Sequence, residues 1–138
     1  MKGGKVIALL DTNVIVRFLI SEENDEYKGL YEFFDSLERG EMRVELKLIV
    51  LFQVIFVLKS FYAVPKEEIA SKMIDLLGYK GIITKERRMV RRTLEIWRDN
   101  NLDIVDCYLI ACLEGDAQNI LYSYDHDFDK FRITRKEP

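Results

Sequence analysis

The chain has 138 residues and a formal net charge of -3, which is enough chain for one hydrophobic core and too little for two. A hydrophobic share of 49% with only 2 prolines excludes a disordered or Pro-rich chain, and the negative balance excludes a globally basic nucleic-acid surface. One histidine, His126, and two cysteines in one apolar run, Cys107 and Cys112, spell out neither a zinc site nor a disulfide framework.

The opening residues Met1 to Lys5 lack the pattern of a signal peptide, and no apolar stretch is long enough for a bilayer. A cytoplasmic protein without membrane contact is expected. Val6 to Leu10 is a short apolar run ending in Asp11-Thr12-Asn13, the signature of a strand buried on both faces of a parallel sheet. Val14 to Ile20 reads as a short helix. Tyr27, Leu30, Tyr31, Phe34 and Leu37 recur at helical spacing, and Gly40 closes that helix. Glu41 to Leu46 is open between strand and loop. Ile49 to Phe61 is apolar enough for a strand, but its length favours a buried helix.

Pro65 with Lys66-Glu67-Glu68 opens the next helix, which Gly78 ends. Ile82-Ile83 is short. Thr84 reads as the N-cap of a basic helix through Arg98. Asp103 and Asp106 take the N-cap and N3 positions of a helix running to about Leu113. Ile120 to Tyr124 is a strand that meets Asp125, and Phe131 to Thr134 is one more edge strand. The alternation implies an α/β fold with a parallel sheet, whose sites lie beyond the carboxyl ends of its strands.

Asp11 and Asp125 each follow a strand, and Asp106 lies one turn into a helix. If the two strands are neighbours in the sheet, the three carboxylates converge, with Asp103 and Asp127 close by. Gathered carboxylates repel one another, and a hard divalent cation such as Mg²⁺ or Mn²⁺ relieves that repulsion. Each residue also has a plainer use. An Asp after a strand forms turns, and an Asp in a first helical turn complements the helix dipole.

Three segments carry a resemblance. VIALLDTNVIVRFL opens the chain with Asp11, Thr12 and Asn13; LDIVDCYLIAC holds Asp103 and Asp106; ILYSYDHDFDKF holds Ser123, Asp125 and Asp127. Together they resemble the PIN-domain family of metal-dependent ribonucleases, including the VapC-type toxins of toxin–antitoxin pairs. The resemblance implies one PIN-like domain over residues 1–138, a three-layer α/β/α sandwich around a central, mostly parallel sheet. It implies a metal-dependent endoribonuclease in which Asp11, Asp106 and Asp125, with Asp127, hold Mg²⁺ or Mn²⁺. Thr12, Asn13, Asp103 and Ser123 are the accessory positions. It also implies a homodimer and, for a toxin, an antitoxin protein as partner.

One position departs from the pattern. Where the family has a Glu on an apolar helix, this chain reads LIVLFQVIFVL, with Gln53 in its place. Glutamine keeps the size and one carbonyl oxygen but loses the charge. Three principal carboxylates remain, which lowers metal affinity. The alternative reading is therefore a catalytically impaired PIN-like domain that binds RNA or a protein partner.

For RNA, the basic helix offers Arg88, Arg91 and Arg92 on one face, and Arg17 lies close to Asp11 in sequence. Lys130, Arg132, Arg135 and Lys136 form a second basic run. Such runs are as often solvated faces as binding surfaces. A phosphoryl-acceptor domain would want a lysine beyond a late strand, and a dinucleotide-binding fold would want a glycine-rich turn after the first strand. The candidates Lys130 and Lys136 do not end a clear strand in the pattern, and the glycine-rich turn is missing.

Overall fold

The computed structural model describes residues 6–20 and 28–138. The opening Met1 to Lys5 and the helix position read at Tyr27 lie outside them. The architecture is α/β, with helices flanking small parallel sheets. By contacts the chain forms two compact units, Met1–Lys85 and Glu86–Pro138.

The first unit holds α1 (Thr12–Ile20), α2 (Lys28–Arg39), β1 (Val44–Glu45), α3 (Leu48–Ser60), α4 (Lys66–Leu77) and β2 (Ile82–Ile83). β1 and β2 pair in parallel, and Leu9 bridges in parallel to Glu45 on the other side of β1. The Glu45 amide donates to the Ala8 carbonyl at 2.7 Å, and the Leu10 amide donates to the Glu45 carbonyl at 3.1 Å. The segment before Asp11 is thus extended and, among the described residues, ladder-bonded along its β1 side.

Burial corrects one expectation there. Leu10 is 3% exposed, whereas Val6 and Ile7 are 97% and 68% exposed. Only the end of the VIALL run is core. An apolar run shows that a segment seeks cover, and the ladder decides which of its residues receive it.

Helix α3 settles the ambiguous apolar stretch. Leu51, Val54, Ile55 and Leu58 are buried at helical spacing, while Ile49 and Phe56 on the opposite side are exposed. α1 packs against α2 and α3, and α3 packs against α4. Phe18 stacks on Phe34 with ring centroids 3.9 Å apart, joining α1 to α2.

The C-terminus of α2 ends as its glycine implies. Gly40 has φ +79°, its amide donates to Leu37, and the Glu41 amide donates to Ser36. This is the Schellman arrangement, which favours glycine at the left-handed residue. At α4, Pro65 is the N-cap and Gly78 the C-cap, as the sequence implies.

The second unit holds α5 (Arg87–Asp99), α6 (Ile104–Leu113), β3 (Ile120–Tyr122), a 3-10 helix (His126–Lys130) and β4 (Thr134–Lys136). α5 packs on α6 through a core that includes Val90, Leu94, Trp97, Cys107 and Ile110. β3 pairs in parallel with β4, Ile120 opposite Thr134. The last strand therefore begins where the sequence reading ended it, because Phe131 caps the 3-10 helix and the chain bends through residue 133 before pairing with β3. Thr84 is not the cap of α5. That place belongs to Glu86, whose left-handed backbone (φ +56°) turns the chain before the helix begins. The Thr84 hydroxyl is buried without a hydrogen-bond partner. Among the described residues, no helix is long and apolar enough to cross a membrane.

Gly81 sets the tightest backbone approach of the first unit. A Cβ there would stand 2.0 Å from the Met42 carbonyl oxygen and 2.9 Å from that of Leu37. Gly81→Ala is expected to destabilise the chain by about 2 kcal/mol or more, because backbone atoms cannot yield as a side chain can. Urea unfolding checks this, and a midpoint indistinguishable from the native one would refute it.

Candidate functional site

In the second unit, helix α6 starts at Ile104 with Asp103 as N-cap, and Asp106 lies in its first turn. The Asp103 side chain makes no capping hydrogen bond. Asp106 is half-buried, and its carboxyl is pushed above the ordinary range. Burial is the first cause, followed by the charges of Asp103, Asp125 and Asp127. Four carboxylates are thereby brought into one electrostatic neighbourhood beside a helix N-terminus, whose dipole favours negative charge.

Asp125 and Asp127 sit on the turn after β3. The Asp125 amide donates to Ser123 Oγ at 3.0 Å, and the Asp127 amide donates to Asp125 Oδ1 at 2.8 Å. Asp125 is thus the side-chain N-cap of the 3-10 helix, and one of its oxygens is engaged by backbone.

Among the described residues, no three His, Cys, Asp or Glu side chains stand close enough together to hold a metal ion. The acids of α6 and the 3-10 turn share a field without forming a chelate. They do not by themselves fit a Mg²⁺ or Mn²⁺ centre, which needs oxygens about 2.0–2.6 Å from one ion.

The other expected residues belong to the first unit. Asp11 is exposed and stands between the last ladder bond and the first turn of α1, its carbonyl accepting from the Ile15 amide at 3.3 Å. Thr12 opens α1, and Asn13 Oδ1 accepts from Arg17 Nε at 2.8 Å. That bond makes Asn13 an orienting partner of Arg17. Gln53 is exposed on α3, between Ile49 and Phe56 on the same side of the helix.

The basic helix α5 sorts its arginines by their partners. Arg92 makes a two-bond pair with Glu114, at 2.9 Å and 3.0 Å, fastening α5 to the end of α6. Arg91 approaches Glu95 at 3.6 Å. Arg88 is exposed and makes no ion pair among the described residues. In the tail, Arg135 has a side chain only 10% exposed and pairs with Asp129 and Glu137. The sequence reading missed the Arg92–Glu114 and Arg135–Asp129 pairs. The first spans 22 residues, and no short-range spacing rule reaches that far.

A family model described as PIN domain matches residues 8–133. No curated protein matches the chain closely enough to stand as a relative.

The raised carboxyl of Asp106 has a consequence for stability. A carboxyl whose folded pKa exceeds its unfolded value penalises the fold when ionised, and the penalty fades as pH falls through the folded pKa. Asp106→Asn is therefore expected to melt higher than the native chain at pH 7 in metal-free buffer. The gap should shrink as pH falls and close near the unfolded carboxyl value of about 4. Melting curves across this range decide it, and an Asn variant that melts lower at pH 7 would contradict the field described.

Proposed function

The chain belongs to the PIN-domain family, and we propose that it is an RNA-binding PIN domain whose cleavage chemistry is impaired. The observation that carries the impairment is Gln53, which stands uncharged where the family pattern has a glutamate. The lack of a three-group metal cluster among the described residues supports the same reading.

Arg88 and Arg91 are the cations assigned to RNA phosphates, because their ion pairing is absent or long among the described residues. Arg92 is committed to Glu114 and is assigned a structural role. The Asp103, Asp106 and Asp127 carboxylates suit ribose 2′-hydroxyls and base amino groups, which donate to anions, and they disfavour phosphate. Arg88→Ala is expected to flatten the dependence of log affinity on log salt by about 1, with little change in melting temperature. Arg92→Ala is expected to do the reverse, with a stability loss of about 1 kcal/mol or less for an exposed pair.

A second reading, a metal-dependent endoribonuclease, is favoured by the strained charges around Asp106, since a hard cation would relieve them. As the toxin of a pair it would require an antitoxin and would act as a homodimer in the cytoplasm. Incubation of labelled RNA with native chain, Asp11→Asn and Gln53→Glu, with and without Mn²⁺ or Mg²⁺, separates the readings. Impaired binding-only function predicts salt-dependent RNA binding without cutting by the native chain, and metal-dependent cutting by Gln53→Glu. Native cutting that needs metal and disappears in Asp11→Asn establishes the second reading. Absence of RNA binding by the native chain sinks the first and turns attention to a protein partner.

A further inference from the structure

The guanidinium of Arg135 is the most heavily engaged cation of the second unit. Nε donates to Asp129 Oδ1 at 2.8 Å and Nη2 to Asp129 Oδ2 at 3.2 Å. Nη1 donates to the Ser123 carbonyl at 2.8 Å and to Glu137 Oε2 at 3.1 Å. Nη2 also stands 2.9 Å from His126 Nδ1, and the same Nδ1 stands 3.2 Å from Asp129 Oδ2. His126 Nε2 faces Glu137 Oε2 at 3.6 Å. Hydrogen bonding from Arg135, and then from His126, holds the Asp129 carboxyl below its ordinary range.

These bonds close a loop of restraint. Arg135 grips the Ser123 carbonyl, and the Ser123 amide donates to the Lys136 carbonyl at 3.0 Å, so β4 holds this residue on both of its polar backbone groups. Ser123 Oγ holds the Asp125 amide, and Asp125 Oδ1 holds the Asp127 amide. Two residues later, Asp129 returns to the same guanidinium. The segment that carries Asp125 and Asp127 is thus tied at its beginning and its end to one side chain. A bidentate arginine–carboxylate pair fixes orientation as well as distance.

We propose that Arg135 is a positioning residue that clamps Ser123 and Asp129, presetting Asp125 and Asp127 without itself contacting nucleic acid. Every guanidinium nitrogen is already engaged, so the residue has little left to offer a phosphate. That the clamped segment faces RNA rests on the function proposed above, whereas the clamp itself does not.

The test is amide hydrogen exchange on the full chain, comparing native, Arg135→Gln, Arg135→Lys, Asp129→Asn and the Arg135→Gln/Asp129→Asn double variant. Arg135→Gln is expected to speed exchange at the Asp125 and Asp127 amides by about tenfold, with the Leu94 and Trp97 amides of α5 unchanged. Arg135→Lys keeps the charge but loses the fork, and it should give an intermediate acceleration. Asp129→Asn should accelerate the same amides, and the double variant should add less than the sum of the two. Unchanged exchange at Asp125 and Asp127 overturns the clamp. So does equal acceleration throughout the unit, which would mean only lost stability. In RNA binding, Arg135→Gln should leave the salt slope unchanged, whereas a fall of about 0.7–0.9 would mark a phosphate contact and overturn the assignment. If the native chain binds no RNA, the functional reading fails, and the exchange data still decide the clamp.

Discussion

The first unit depends on a backbone ladder that is only a few residues long. β1 lies between the Ala8–Leu10 segment and β2, and it exchanges amide–carbonyl bonds with both. Its Val44 amide donates to Gly81 at 2.8 Å, and the amide of Leu46, just after β1, donates to Ile83 at 2.9 Å. So short a ladder supplies little stability of its own, and the apolar sides of α1, α3 and α4 provide the burial that holds it. It also fixes where Asp11 stands. The Leu10 amide makes the last ladder bond, and the Asp11 carbonyl accepts the first bond of α1. Asp11 is therefore held by order on both sides although its side chain is in solvent.

The second unit places its acids by a different device. The N-terminus of α6 offers a partial positive charge that tolerates Asp103 and Asp106, while the 3-10 turn uses Asp125 as its own cap. Local backbone satisfaction thus brings the carboxylates into a shared field, and the cost of that field falls on Asp106, the half-buried member. Carboxylates that repel one another are held in place by what surrounds them, which gives the multiply bonded guanidinium of Arg135 its structural weight at the far end of the turn.

Much of this was legible from local sequence. Gly40 closes α2, Pro65 opens α4, and length decides for helix at α3, because capping and periodicity act within a turn or two. Asp103 was likewise readable as the N-cap of α6 and Asp106 as a residue of its first turn. Thr84 misled because its capping chemistry was right but Glu86, in a left-handed conformation, delayed the helix. The exposure of Val6 and Ile7 was illegible, since apolar composition does not reveal which side of a ladder is covered. Gln53 reads as an ordinary helical residue in the pattern alone. Only the family resemblance gives it meaning. Arg135 reads as one more tail cation, since its bond to the Ser123 carbonyl spans 12 residues and leaves no periodic trace.

The arginines show why net charge is a poor guide to binding here. At physiological ionic strength an exposed charge is screened over about 8 Å, so a phosphate responds to its neighbours more than to the total of the chain. The formal charge of -3 counts Arg88, Arg92 and Arg135 alike. Glu114 largely cancels Arg92, and Asp129 with Glu137 more than cancels Arg135, whereas Arg88 has no such partner among the described residues. A phosphate near α5 would meet Arg88 first as a cation. The same arithmetic works in reverse around Asp106, whose carboxyl is raised by burial and by the charges of Asp103, Asp125 and Asp127. On the proposed function, the phosphates of an RNA strand would meet the first surface and its hydroxyl or amino donors the second. Affinity in such a protein is set by how those two surfaces match the polymer, and adding cations elsewhere would change the total charge without improving that match.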